Sequence, residues 1–170
     1  MELGRAGGVP FVNLASAGLA PVAARRAKRW KGVLGPTAYA VGAAAAIATP
    51  PLECRVTSDG RTAFEGPAWQ VMIAVSGGFG PGIKVEPADT SDGQLDLVVL
   101  PAGRRRELVR RGYRLRAGEL VAQPGVRHAR SPAFEVAVPP GAPFNVDGEV
   151  LELGSARFSV EQAGFQLVAG

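Results

Sequence analysis

Phe144-Asn145-Val146-Asp147-Gly148-Glu149 places an Asp-Gly pair between two short apolar runs, residues 143–146 and 150–153. A two-residue hairpin turn needs positive φ at both central positions, and Asp followed by Gly accepts that conformation at little cost, so the pattern predicts a β-hairpin. The same six residues set two carboxylates, Asp147 and Glu149, one residue apart across a glycine. In an extended segment, side chains two positions apart project to the same face. A second reading is therefore open: a carboxylate that accepts a proton from an alcohol during attack on a phosphoryl group, with its neighbour orienting it or binding a metal through water. The chain holds three Asp-Gly pairs, and Asp59-Gly60, between apolar-alternating residues 52–57 and 62–65, reads as a purely structural turn.

Outward from the hairpin the chain is strand after strand. Residues 126–130, 134–138, 143–146, 150–153, 157–160 and 165–168 are short runs separated by Pro, Gly or Ser. Such regular spacing predicts a mainly β, antiparallel sandwich or barrel rather than a parallel α/β sheet. Upstream, residues 9–14, 69–75 and 95–100 read as further strands, the second of them more continuously apolar. With 23 glycines and 14 prolines among 170 residues, the composition suits strands joined by turns better than a helix bundle. A few helices are expected at the margins. One runs from Pro21 to about Arg29, with proline in its first turn, and an alanine-rich one spans Thr37 to Thr49, stopped by Pro50-Pro51. A third runs from Gly103 to about Arg116 and carries Arg104, Arg105, Arg106, Arg110, Arg111, Arg114 and Arg116. The length suits a single domain over residues 1–170.

Several function classes are excluded or weakened by residue supply alone. A single cysteine rules out an internal disulfide, and one cysteine with one histidine rules out a Cys/His zinc site within the chain. Cys54 alternates with charged neighbours, which predicts a small hydrophobe facing the core. His128 stands between Arg127 and Arg130 and reads as a surface loop residue, while Ser76 lacks the nucleophile-elbow pattern, so Ser/His/Asp hydrolysis has little support. The N-terminus has no signal-peptide pattern. The longest apolar span, residues 33–52, is broken by Pro36 and Pro50-Pro51, too short for the roughly 20 residues of a bilayer helix, so it reads as a buried helix of a soluble protein. The net charge of +4 comes mainly from clustered arginines and fits an anionic partner. On the third helix each arginine close to an acidic headgroup surface contributes about 1 kcal/mol; a solvated face, or a docking face for a partner domain, accounts equally for the pattern.

Two loops invite ligand readings. Gly77-Gly78-Phe79-Gly80-Pro81-Gly82 lacks the lysine and hydroxyl of a P-loop and the dinucleotide spacing, and is followed by an extended rather than a helical segment. It reads as a flexible loop permitting close backbone approach at a cleft edge. Asp89-Thr90-Ser91-Asp92-Gly93-Gln94 is an acidic turn whose Asp89 and Asp92, with loop carbonyls, can hold a hard cation such as Mg²⁺ or Ca²⁺, or can be a plain Asp-Gly turn.

Taken together, these pieces resemble the C-terminal domain of the bacterial diacylglycerol kinase family, soluble lipid kinases related to sphingosine kinases and distantly to NAD kinases. The resemblance runs from Leu3-Gly4-Arg5 and Pro10-Phe11-Val12-Asn13 through the Gly77 to Gly82 loop and Glu86-Pro87-Ala88-Asp89. It continues through Asp92-Gly93-Gln94-Leu95-Asp96, the arginine helix leading into Pro124-Gly125-Val126, and Val146-Asp147-Gly148-Glu149. It implies a two-layer antiparallel β-sandwich forming the lipid-side wall of an interdomain cleft. Glu149 is then the proton acceptor with Asp147 beside it, and a structural Mg²⁺ sits at Asp89, Asp92 and the Gln94 carbonyl. ATP and its Mg²⁺ are held mainly by an N-terminal nucleotide-binding domain. Implied partners are a lipid substrate, an anionic membrane surface and that domain or chain, with room for a homodimer and no nucleic acid; the implied location is the cytoplasm, peripheral at the inner membrane surface. The chain departs from the family pattern at Gly18-Leu19-Ala20-Pro21, where Gly-x-Asp-Ala is usual, and at Ser76, where asparagine is usual. It also contains no Gly-Gly-Asp-Gly-Thr nucleotide loop. The expectation is half an enzyme, inactive until completed; a lipid-binding module without catalysis is the alternative.

Overall fold

The period-two alternation of the sequence becomes eleven strands in a computed structural model, which describes residues 2–22, 25, 48–75, 92–105, 107 and 124–161. In chain order these are β1 (Leu3–Ala6), β2 (Val9–Phe11), β3 (Leu14–Gly18), β4 (Leu52–Ser58), β5 (Arg61–Ala74), β6 (Leu95–Pro101), β7 (Arg127–Ser131), β8 (Ala133–Ala137), β9 (Phe144–Val146), β10 (Glu149–Leu151) and β11 (Ala156–Glu161). Every pairing is antiparallel, in the order β10-β9-β3-β5-β4-β8-β11-β1-β2, with β6 on β5 and β7 on β6.

The long strand β5 makes the sheet curl into two layers. Its first half pairs β4, from Ser58↔Arg61 to Leu52↔Ala68; its second half pairs β3 on one edge and β6 on the other. The turnover falls at Gly66-Pro67, where Gly66 has φ 128°, and at a bulge that leaves Trp69 unmatched between Ala68 and Gln70. Bulges bend a strand and raise its twist, which is what a corner between layers requires. The two stretches 62–65 and 69–75, expected as separate strands, are therefore one strand. Pro67 does not interrupt it, because a bend at a sheet corner tolerates a missing N–H, and its carbonyl accepts the amide of Ala102 at 2.9 Å.

The inner faces of both layers meet in one core built on Phe11, Val56, Ile73, Leu95, Leu97, Phe134, Phe144 and Phe158, all essentially without solvent contact. Phe158 of β11 packs against Phe11 edge-on at 6.5 Å and against Phe144 of the other layer at 5.7 Å, the aromatic contact that ties the layers together. A smaller cluster of Trp69, Met72, Ala74, Val98 and Leu100 lies on the opposite face of β5 and β6. The second half of β5 and β6 are buried on both sides, hence their largely apolar runs, interrupted by the buried Gln70 and Asp96. The outer face of the other layer is a ladder of exposed ion pairs: Arg55–Glu65, Glu135–Arg157 and Arg5–Glu161.

The N-terminal part departs from the sequence reading. The single strand expected over residues 9–14 is β2 and β3, parted at Val12-Asn13, and the small residues that follow Leu14 belong to the mostly buried strand β3. Val12-Asn13 is the crossover that carries the chain from one layer to the other. Ala15 and Ala17 succeed as strand residues because they face a crowded core, where burial overrides their weak β preference. Most of each helix expected over residues 21–29, 37–49 and 103–116, with the whole of the glycine loop at 77–82 and of the strand at 165–168, lies outside the described residues.

Candidate functional site

The Asp147-Gly148 pair closes a two-residue hairpin between β9 and β10, with Val146 opposite Glu149. Both turn residues have positive φ, 48° and 97°, the pattern of a type I′ turn. Asn145 Oδ1 accepts the Gly148 amide at 2.8 Å and closes the turn from inside. Because β9 pairs β3, through Ala15↔Val146, Ser16↔Asn145 and Ala17↔Phe144, the tip of the hairpin reaches the start of β3.

There the Asp147 carboxylate meets the crossover. Oδ2 accepts the amide of Val12 at 2.6 Å, and Oδ1 accepts the amides of Asn13 at 3.1 Å and Leu14 at 2.9 Å. In return the Asp147 amide donates to the Leu14 carbonyl at 2.9 Å, and the Asn13 carbonyl accepts the amide of Val75 at 3.1 Å. Three consecutive backbone N–H groups turned out of any ladder would otherwise need water, and one carboxylate satisfies them all with charge-assisted bonds. Glu149 is exposed on β10, and among the described residues no hydrogen bond or ion pair engages its carboxylate. The expectation that both acidic side chains project to one face is corrected. The left-handed turn separates them, so Asp147 points back to the crossover while Glu149 begins the next strand.

The acidic turn is described from Asp92 onward; Asp89 lies outside the described residues. Asp92 Oδ1 accepts the Gln94 amide at 2.9 Å, an Asx turn, and its other oxygen contacts the Arg130 guanidinium. The Gly93 amide donates to Glu2, a buried residue whose second carboxylate oxygen has no hydrogen-bond partner among the described residues. Arg130 also reaches Asp96 at 3.4 Å, and His128 Nε2 lies 2.7 Å from the same Asp96 oxygen. An ionised carboxylate only accepts, so Nε2 carries the proton in that bond. The register Asp96↔Arg130 and Val98↔His128 places these groups on one face of β6 and β7. His128, expected in a surface loop, is thus a strand residue bonded to a buried carboxylate. Among the described residues no group of three or more His, Cys, Asp or Glu side chains is arranged to hold a metal. The described half of the turn offers one carboxylate, Asp92, which already carries a guanidinium and an amide.

Cys54 is buried on β4 as expected. Burial, with Glu53 as the lesser cause, pushes its thiol up to about 11, which removes it as a nucleophile. Glu2, Asp96 and Arg130 escaped the sequence reading because their partners lie far along the chain, 32 residues for Asp96 with His128 and 91 for Glu2 with Gly93. The one available signal was Asp96 itself, a carboxylate inside an apolar strand, which demands a partner.

An antiparallel β-sandwich with an acidic hairpin tip clamped to its interlayer crossover defines the class. Residues 13–169 match the family described as the YegS C-terminal NAD kinase beta sandwich-like domain, and the chain belongs to that family. A solved structure of a candidate diacylglycerol kinase from Bacillus anthracis str. Sterne is similar with a TM-score of 0.69 at 20% identity, covering 96% of this chain and 55% of that one. Another solved structure of a candidate diacylglycerol kinase from the same strain gives 0.67 at 18% identity, with 96% and 55% covered. A diacylglycerol kinase, also from it, gives 0.59 at 13%, with 95% and 50% covered. The present chain spans about half the length of these proteins. Among curated proteins, none matches this chain. No helix among the described residues is long and apolar enough to cross a membrane.

Proposed function

We propose that this chain is the acceptor-side domain of an ATP-dependent lipid kinase that phosphorylates the hydroxyl of diacylglycerol or a related lipid. The observation that carries the reading is the family membership of residues 13–169, which include the Asp147-Gly148-Glu149 tip. In this reading Glu149 accepts the proton of the lipid hydroxyl as its oxygen attacks the terminal phosphoryl group of ATP, whose bond to the bridging oxygen breaks to release ADP, and Asp147 is the second acidic residue of the site. An exposed carboxylate with no ion pair or hydrogen bond among the described residues is free to take that proton, and the β9–β10 ladder fixes where it stands. Phosphoryl transfer depends chiefly on positioning and charge. ATP and its Mg²⁺ fall to a separate nucleotide-binding domain, and the isolated chain is inactive. The clustered arginines suit a peripheral position on an anionic lipid surface. The acidic turn at Asp89, Asp92 and Gln94 is proposed as a structural Mg²⁺ seat in which the ion competes with Arg130 for Asp92. A melting temperature independent of Mg²⁺ and Ca²⁺ in the wild type would remove that part.

The test is lipid phosphorylation from labelled ATP, measured with and without a supplied nucleotide-binding domain, for the wild type and Glu149→Gln. The completed wild type is expected to turn over and the variant to lose about 10²–10⁴-fold in kcat, the usual contribution of a general base. One observation favours a lipid-binding module without catalysis. Ala20 stands where the resembling motif has an aspartate, and its amide is capped by Gln70 Oε1 at 2.9 Å. A completed protein that binds lipid vesicles and never phosphorylates them decides for the module.

A further inference from the structure

The two carboxylates of the hairpin tip do different work. Asp147 already accepts three consecutive amides, those of Val12, Asn13 and Leu14, across 133 to 135 residues of sequence. Its own amide is committed to Leu14, and the crossover is pinned on its other side by the bond from the Val75 amide to the Asn13 carbonyl. Val75 directly follows the last residue of β5, Ala74. The crossover, the hairpin tip and the end of β5 are therefore joined at one corner, with Asp147 as the common member. Asn13 and Glu149 are exposed at that corner alongside Asp147, and among the described residues no hydrogen bond or ion pair engages the side chain of either.

We infer that Asp147 is a positioning residue, not a proton carrier: its carboxylate seats the Val12-Asn13-Leu14 crossover and thereby holds Glu149 and Asn13 in place at the cleft wall. The inference rests on the kinase reading for what is positioned, but the seat itself is a property of this chain. Three N–H groups already converge on its two oxygens, so the carboxylate is committed to the crossover rather than to a substrate hydroxyl.

Asp147→Asn separates the possibilities cleanly, because Asn-Gly is itself a favoured type I′ pair and accepts positive φ, so the turn is retained. The variant keeps one acceptor oxygen and replaces the other with an NH₂ group that cannot accept an amide. Hydrogen exchange on the chain as it stands is expected to accelerate about tenfold or more at Val12, Asn13 and Leu14, while the β5–β6 ladder keeps its protection. In the protein completed with a nucleotide-binding domain, kcat is expected to fall about tenfold at a temperature well below melting, and the KM for ATP to stay within about twofold. The acidic limb of the pH–rate profile, which Glu149→Gln abolishes, is expected to persist in Asp147→Asn. Unchanged exchange at the three amides overturns the seat. Loss of the acidic limb in Asp147→Asn overturns the division of roles, and a kcat per folded molecule equal to the wild type reduces Asp147 to a purely structural group. A completed wild type with no lipid phosphorylation refutes the kinase reading instead, and the exchange data still judge the seat.

Discussion

Gly4→Ala is the sharpest test of how the N-terminal hairpin is built. Gly4 of β1 pairs with Phe11 of β2, and the Phe11 ring lies across the glycine. A Cβ added at Gly4 would sit 2.3 Å from Cζ, 2.4 Å from Cε1 and 2.7 Å from Cε2 of that ring, well inside contact distance. Phe11 cannot simply swing away, because it is 1% exposed and packs edge-on against Phe158. Overpacking of this kind costs about 1–3 kcal/mol, and the stiffer unfolded chain raises stability by about 0.4–1 kcal/mol. The net expectation is a loss of about 1–2 kcal/mol, or roughly 2–8 °C in melting temperature for a chain of this size. Urea unfolding followed by circular dichroism would show a lower midpoint with an unchanged slope. Adding Phe11→Leu to Gly4→Ala should recover part of the loss, since the two changes act on one contact and are not additive. A Gly4→Ala protein as stable as the wild type would refute the account of this hairpin, and with it the geometry that delivers Val12-Asn13 to Asp147.

Two further outcomes test the interior. The Cys54 thiol, pushed up to about 11 from 9.0, favours the folded state below pH 9 and loses that contribution as pH rises from 9 to 11; the wild type should therefore lose stability over that window relative to Cys54→Ala, and parallel curves would contradict it. Arg130→Met leaves Asp92 and the buried Asp96 without their guanidinium, and because Arg130 is itself 31% exposed the cost is expected to be about 1–3 kcal/mol, below that of a fully buried pair. An unchanged or higher urea midpoint would show that Arg130 is not compensating those carboxylates.

The motifs legible in the sequence are those whose physics is local. Asp59-Gly60 and Asp147-Gly148 both form two-residue turns with positive φ, because neighbouring residues alone determine whether a backbone can reverse there. The alternation in residues 52–57 and 134–138 is realised as strands, with Cys54 facing the core as expected and Val56, Phe134 and Val136 buried there too. Such patterns, with the motifs read alongside them, carried the chain to the β-sandwich to which it belongs.

What tertiary structure alone decided is which distant backbone and side-chain groups meet. Where residues 9–14 divide, and that β5 runs on through Pro67, follow from the need to turn a corner between layers, which no local pattern encodes. The split roles at the hairpin tip have the same origin. Asp147 finds its three amides only because β9 pairs β3 in one register, and a shift of one residue would send its side chain elsewhere. Sequence determines that a carboxylate stands at a turn; the packing of strands far apart in the chain determines what that carboxylate holds.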